Sequence, residues 1–501
     1  MDKGLDSIQQ ARDLVTKAHK AQEELAQFSQ KDVDALCAAI AEEGFKQADY
    51  LAKLAVEETQ LGRADSKKTK NEFCTRDLWA AMKEMRTCGI VERDDKNMVY
   101  RIAEPMGTVA AIIPTTNPTS TALYKILISL KSRNTIVLSP HPRAVKCISE
   151  SARICNEAGV KAGLPQGAIG CMTTVTLEGT TELMRHKYTS VILSTGGEGI
   201  VKAAYSSGKP AYGVGPGNAP VYIEKSADVR HAVGNIVESK LFDYGTVCAS
   251  EQAVVVDQQI DAQVREEFRR LKAYFVSPDE KRKMEPVCIK GDIMNPEVVG
   301  QPAAKIAKMC GFAVPDDTSL LIAEMKTVGR EEPLSREILS TILGYYVEAD
   351  WMSACERCLQ ILRFGGMGHT LVIHSRDPHV IMEFALKKPA YRFCVNTPST
   401  LGAIGCTTRL FPAMSLGCGT SGGNISADNI GPMNLVNLKR LAFDMRDDAF
   451  ASTMKVSEAL VSDFVPFEKR EPGKPPPAPG AAAPAGETIL YNGRRRDVAT
   501  L

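Results

Sequence analysis

One cysteine in this sequence stands where a nucleophile could. Cys248 lies in Phe242-Asp-Tyr-Gly-Thr-Val-Cys-Ala-Ser-Glu-Gln252, after a flexible Tyr-Gly step and before the strand-like run Ala253-Val-Val-Val256. Ala249 follows it, so a carbonyl carbon could approach the sulfur without meeting a bulky neighbour. The chemistry open to such a thiol is covalent addition. The thiolate is the reactive form, and a free cysteine ionises near pH about 8.5 unless a positive potential or a donor lowers it. A buried, inert cysteine fits the same stretch, since free cysteine is among the most buried residue types.

Other residues offer partners for this chemistry. His369 sits in Gly365-Gly-Met-Gly-His-Thr370, where glycines give the ring little shielding and leave it able to reach a ligand. A histidine satisfied by backbone at a strand start fits equally well. Gly196-Gly-Glu-Gly199 falls between a strand and a helix, where glycine lets a dinucleotide phosphate approach the helix N-terminus. It lacks the full GxGxxG spacing and a following acidic residue for a ribose, so a plain tight turn is the alternative. Gly213-Val-Gly-Pro-Gly-Asn218 is ambiguous in the same way. Leu416-Gly-Cys-Gly-Thr-Ser-Gly-Gly-Asn424 is glycine-dense enough to wrap close to a ligand or another chain.

The elements that must position these groups follow from apolar spacing. Residues 7 to about 57 read as helix, with Ile8, Ala11, Val15 and Ala18 on one face, and Leu36, Ile40 and Phe45 continuing it after a Ser29/Asp32 break. Asn97–Ala103 alternates like an exposed strand that completes a sheet, within the chain or across a subunit boundary. From Gly107, strands at 108–113, 135–138 and 190–193 each end in a Pro- or Gly-rich turn and lead into helices over 118–130, 143–158 and 200–205. Repeated strand–turn–helix units predict a parallel sheet covered on both faces, with ligands outside the carboxyl ends of the strands. After Pro220 a second series begins: strand 221–223, helix 229–239, the Cys248 turn, strand 253–256, helix 265–274, and strands 320–322 and 370–373.

Composition narrows the class. A chain of 501 residues exceeds one core and predicts about two to four structural units. Its 44% hydrophobic and 24% charged content is that of a soluble globular protein, and a formal net charge of +1 calls for neither nucleic acid nor an anionic membrane as partner. The N-terminal residues lack the apolar core of a signal peptide, and the longest apolar run, Val109-Ala-Ala-Ile-Ile113, is only strand-sized. Fourteen cysteines, scattered without metal-ligand spacing, read as reduced thiols, so the expected setting is cytoplasmic and no metal site is expected. Residues 471–485, EPGKPPPAPGAAAPA, form a linker. The last segment, Glu487 to Leu501, carries Arg494-Arg-Arg496 and reads as a solvated end or a docking peptide.

Taken together, IIPTTNPTSTALYKILISLKSRNTIVLSPHPRA, STGGEGIVKAAYSSGKPAYGVGPGN, FDYGTVCASEQ, GGMGHT and SLGCGTSGGN resemble the CoA-acylating members of the aldehyde dehydrogenase superfamily. The resemblance is nearest to the aldehyde dehydrogenase half of bifunctional aldehyde–alcohol dehydrogenases and to acylating succinate-semialdehyde dehydrogenases. It spans about residues 8 to 445 in the family's order. It implies an α/β aldehyde dehydrogenase fold with a Rossmann-like cofactor domain, a second α/β catalytic domain and a small oligomerisation element. The implied division is 1–216 for NAD binding (with an oligomerisation strand near 90–103), 217–428 for catalysis, 429–470 for a return segment, and 471–501 for linker and tail.

The implied roles are specific. Cys248 is the nucleophile; the Asn117 amide and the Cys248 backbone N–H form the oxyanion hole; Glu337 holds the nicotinamide ribose; His369 belongs to the acylating GxGHT motif. Ile112, Ile113, Pro114, Thr115, Thr116, Ser139, His141, Pro142, Gly196 and Gly197 line the cofactor, and Gly215 faces the nicotinamide. Hydrolytic relatives carry Glu-Leu-Gly-Gly-Lys, whose glutamate activates water; residues 213–218 hold no carboxylate, so coenzyme A is the implied acyl acceptor. The lysine and glutamate that grip the adenosine ribose in those relatives are absent from Ser139-Pro-His-Pro142, so NAD over NADP rests on analogy. Ser421 replaces an aromatic residue found in near relatives and is expected to widen or polarise the substrate pocket. The implied substrate is acetaldehyde, with propionaldehyde, sulfoacetaldehyde or succinate semialdehyde as alternatives and hydrolytic oxidation as the other chemistry. A homo-oligomer is implied, with the tail a candidate docking peptide for an enzyme assembly or bacterial microcompartment.

Overall fold

The computed structural model describes residues 2–444 and two short strands, Thr488–Tyr491 and Arg494–Asp497, that pair antiparallel. The linker at 471–485 and the return segment beyond 444 lie outside the described residues. The chain opens with helices Lys3–Leu25, Gln30–Lys46 and Ala48–Thr59. The expected break is a capping box: the Ser29 hydroxyl accepts from the Asp32 N–H (3.2 Å) while the Asp32 carboxylate accepts from the Ser29 N–H (3.0 Å). Ala11, Val15, Ala18, Leu36 and Ile40 are buried as their spacing predicts. Phe45 is not: it is 39% exposed, with the Arg76 guanidinium 5.8 Å from its ring centre.

Two parallel sheets follow. The first runs, edge to edge, Ile169–Cys171, Thr135–Pro140, Thr108–Ile113, Thr189–Thr195 and Ala211–Val214. Thr108–Ile113 and Thr135–Pro140 are buried at every residue, as helices on both faces require of a parallel strand. The second has seven strands in the order Tyr274–Phe275, Leu321–Glu324, Ile342–Glu348, Glu251–Asp257, Ala219–Ile223, Gly368–His374 and Ala390–Val395. Its first strand in the sequence begins at Ala219, five residues after the other sheet ends at Val214. A third, antiparallel sheet joins Gly89–Asp94, Val99–Pro105 and Val436–Ala442, so the segment expected as an exposed strand is the centre of a three-stranded sheet that begins after a left-handed Met98 (φ 49°).

The second α/β unit departs from expectation in detail. The helix expected over 265–274 occupies Asp261–Arg270; Lys272 turns left-handed (φ 62°) and Tyr274 begins the sheet's edge strand. Strands Ile342–Glu348 and Ala390–Val395, with helices Trp351–Gly365 and Pro378–Lys387, supply half of the unit where no clear spacing marked them. Cys355 and Cys358 stand at CxxC spacing, which the reading of scattered cysteines passes over; both are buried on the helix Trp351–Gly365. Among the described residues no group of three or more His, Cys, Asp or Glu side chains could hold a metal, and no helix is long and apolar enough to cross a membrane.

The two parallel sheets meet end to end in an unequal way. The first presents the carboxyl ends of its strands, at Ile113, Pro140 and Thr195. The second presents segments that precede its strands: Gly215 before Ala219, Cys248 before Glu251, Glu337 before Ile342. A cleft of about 640 Å³ lies between them.

Candidate active site

The loop that carries Cys248 is locally strained and tightly fixed. After helix Val229–Leu241 the backbone enters the left-handed region at Asp243 (φ 51°), Tyr244 (φ 51°) and Gly245 (φ 70°). Two of these residues carry side chains, a conformation that persists only where the surroundings over-determine it. Here the fully buried Asp243 carboxylate does so. It accepts from Lys67 Nζ (2.9 Å), Lys70 Nζ, the Arg63 N–H (2.7 Å) and the Thr246 hydroxyl (2.6 Å). Burial alone would raise this carboxyl, but Lys67 and Lys70 outweigh it and hold it below the usual range. Gly245 is required by space, since a Cβ there would lie 2.6 Å from the Ser340 carbonyl.

Cys248 Sγ, half-buried on the cleft wall, is 3.1 Å from His369 Nε2, and His369 Nδ1 is 2.9 Å from the Thr370 hydroxyl. The shielding expected for His369 is therefore wrong in sign: the ring is wholly buried and aimed at the thiol. The glycines around it exist for close packing. A Cβ at Gly217 would lie 2.5 Å from the Cys248 carbonyl and 2.8 Å from the His369 ring, and one at left-handed Gly368 (φ 77°) would collide with the Cys418 carbonyl. Asn117 stands at the N-cap position of the helix Pro118–Lys131 without a side-chain capping bond and lines the same cleft. Its Nδ2 donates to Thr116 Oγ1 (3.1 Å) and to the Thr246 carbonyl (3.2 Å), while its Oδ1 accepts from Lys70 Nζ. The amide and the thiol are thus held through one loop.

Burial sets the charge of these groups. Burial pushes the Cys248 thiol up to about 12, with Glu337 and Cys418 adding to the rise and Arg392 opposing it. Burial also pushes His369 down to about 3, helped by the buried Arg392 guanidinium. The resting pair at neutral pH is a neutral thiol beside a neutral imidazole, whose Nε2 can accept a proton. Glu337 accepts from the Gly217 N–H (2.8 Å), and burial lifts its carboxyl to about 8, so it is mostly protonated at pH 7. Segment 213–218 itself holds no carboxylate.

The remaining cofactor-facing candidates, Ile112, Ile113, Pro114, Thr115, Thr116, Ser139, His141, Pro142, Gly196, Gly197, Gly215 and Glu337, all line the cleft. A Cβ at Gly197 or Gly215 would meet no protein atom within 4 Å, so internal packing does not call for glycine there. An open cradle of this kind fits a ligand that approaches the backbone, at the N-cap of the helix Glu198–Tyr205. Ser139 is less available: its hydroxyl pairs with Thr180 Oγ1 at 2.8 Å and is buried. Ser421 does not line the cleft; it is exposed on the turn Thr420–Gly422, 3.2 Å from the Tyr391 hydroxyl.

Residues 6–293 match the aldehyde dehydrogenase family model. The chain belongs to that family. It is 42% identical over 434 residues, 86% of its length, to the bifunctional aldehyde-alcohol dehydrogenase AdhE of Escherichia coli (strain K12), and spans only about half of that relative (49%). A succinate-semialdehyde dehydrogenase (acetylating) from Clostridium kluyveri is 32% identical, the alignment covering 86% of this chain and 95% of that one. The crystal structure of an acetylating aldehyde dehydrogenase from Geobacillus thermoglucosidasius superimposes with a TM-score of 0.88 at 47% identity, covering 89% of this chain and 99% of the other. The expected family and fold therefore hold. Lys67, Lys70 and Arg392 had no sequence signal, whereas Asp243 stood inside the Cys248 stretch without a role.

Two outcomes follow from the buried pair. Alkylation of Cys248 by iodoacetamide in the ligand-free protein should rise about tenfold per pH unit from about pH 7 to about pH 10, and a plateau below about pH 9 would contradict a burial-raised thiol. Gly217→Ala should displace the thiol and imidazole together and slow acylation of Cys248 about 100-fold in single turnover, since misplacement by an ångström costs that much; an unchanged rate would show that the loop yields without effect.

Proposed function

We propose that the protein oxidises a short aldehyde, acetaldehyde foremost, to its acyl-CoA with NAD and coenzyme A. The observation that carries this reading is the 3.1 Å contact between Cys248 Sγ and a neutral, buried His369, beside an Asn117 tied to the same loop. A bound nicotinamide supplies the hydride acceptor; the rest falls to the chain. Cys248 releases its thiol proton to solvent as Sγ bonds to the aldehyde carbon, and the carbonyl oxygen, now an oxyanion, turns toward Asn117 Nδ2 and the Cys248 N–H, donors worth about 2.7–4 kcal/mol each in such sites. Loss of hydride leaves a thioester on Cys248. The coenzyme A thiol then attacks the acyl carbon, its proton passing to His369 Nε2, and Cys248 departs as the leaving group. Water competes poorly because the Glu337 carboxyl is mostly protonated at pH 7.

Acetaldehyde is favoured over carboxylated or sulfonated aldehydes by the lining. Val247, Ile404, Met414 and Leu416 give the cleft apolar walls, and Arg143 is the one Lys or Arg among its described lining residues. Arg143 adjoins His141 and Pro142 on the cofactor side, leaving a substrate anion without a counter-charge. We assign 1–216 to cofactor binding, 217–428 to catalysis and the sheet around Val99–Pro105 to a homo-oligomer contact; the tail is a docking segment for an enzyme assembly, with a microcompartment as one such setting.

Enzyme mixed with acetaldehyde, NAD and coenzyme A should generate NADH absorbance, and Cys248→Ala should abolish it; activity that survives this change would sink the proposal. Sustained NADH formation without coenzyme A would favour the hydrolytic chemistry instead. His369→Ala should give an NADH burst of normal size followed by slow turnover, whereas loss of the burst would move His369 to the first attack.

A further inference from the structure

The helix Ala64–Glu72, ADSKKTKNE, is polar throughout, yet it buries Ser66, Lys67, Lys70 and Asn71. A polar face turned inward is costly unless each group is met. Asn71 is met fully, donating to the Ala48 carbonyl (3.0 Å) and accepting from the Thr119 hydroxyl (2.8 Å). The lysines are different. Two buried ammonium groups face one carboxylate, Asp243, so the cluster carries a surplus positive charge. Stability does not ask for the second lysine, because Lys67 and Asp243 alone would balance. Lys67 spends its other bond on the Thr116 carbonyl (3.0 Å). Lys70 reaches the one acceptor that Lys67 does not, Asn117 Oδ1.

An amide has an accepting end and a donating end, and an ammonium tolerates only the former. Lys70 therefore fixes which way Asn117 faces: Nδ2 donates to the Thr246 carbonyl and to the hydroxyl of cleft-lining Thr116, and the Thr116 bond is the one that gives way when Nδ2 meets an oxyanion. The five-residue π turn Phe73–Asp77 that follows the helix is a feature often found beside functional sites. Burial draws Lys70 down to about 8, with Asp243 pulling the other way, so it remains mostly charged at pH 7.

We propose that Lys70 is a positioning residue of the oxyanion hole: anchored by Asp243, it locks the Asn117 amide with its donor toward the oxyanion formed on Cys248 and places its surplus charge behind that donor. This rests on the oxyanion role given to Asn117 above.

The test uses the full chain and single-turnover NADH formation from acetaldehyde at saturating NAD, with Lys70→Met introduced alone and into Asn117→Ala. Met keeps the length of the side chain and leaves Lys67 and Asp243 as a balanced pair, so the thermal midpoint should hold or rise. Lys70→Met alone should slow the burst about 10- to 100-fold with KM for NAD unchanged, and should add nothing in the Asn117→Ala background. Lys70→Gln, which keeps a donor without the charge, should recover part of the rate and serves in place of Met if that variant does not fold. An unchanged burst in Lys70→Met, or equal slowing in both backgrounds while Asn117→Ala is itself impaired, would overturn the proposal. A full-rate burst in Asn117→Ala would instead remove the oxyanion assignment, and the proposal with it.

Discussion

A single buried carboxylate ties the catalytic parts of this protein together. Asp243 gathers Lys67 and Lys70 from one helix, the Arg63 N–H from the segment before it, and Thr246 from its own loop. Through Lys70 it reaches Asn117 at the carboxyl end of the first sheet, and through Thr246 it fixes the approach to Cys248 before the second. The left-handed backbone at 243–245 persists because these bonds over-determine it. Asn117 and the Cys248 N–H, the oxyanion donors proposed above, therefore hang on one charge cluster between the two sheets. Removing the carboxylate would leave two lysines uncompensated in a dry interior, a cost of several kcal/mol of order about 3–5.

Burial also suppresses charge at the thiol and imidazole. A thiol raised by burial and an imidazole lowered by it meet as neutral partners, so the ligand-free protein does not carry a reactive thiolate at neutral pH. The same burial keeps Glu337 mostly protonated and withholds a ready base from water. One physical cause thus acts on Cys248, His369 and Glu337 alike.

Much of this was legible in the sequence, and the rest had specific reasons to stay hidden. Cys248, Asn117, Glu337 and the glycine turns sit where motifs place them, because turns at strand ends are local features. Lys67 and Lys70 could not be read, since a polar helix with lysines at 67, 68 and 70 looks like a solvated face until a partner from residue 243 arrives. His369 was visible as a residue but not as a buried one: the glycines beside it admit backbone rather than solvent. Ser421 misled because it adjoins the glycine-rich loop in sequence yet bonds Tyr391 on the sheet's edge strand. The second sheet's role was half hidden, as it faces the cleft with the segments before its strands instead of those after them.

In the proposed reaction Cys248 keeps the acyl group until coenzyme A takes it. Intact-protein and peptide mass spectrometry of enzyme incubated with acetaldehyde and NAD, without coenzyme A, tests this most directly. An added acetyl group is expected on the peptide containing Cys248, discharged on adding coenzyme A with acetyl-CoA formed in equal amount. An unmodified Cys248 under conditions where NADH has formed, or an acetyl group that coenzyme A does not remove, would contradict it.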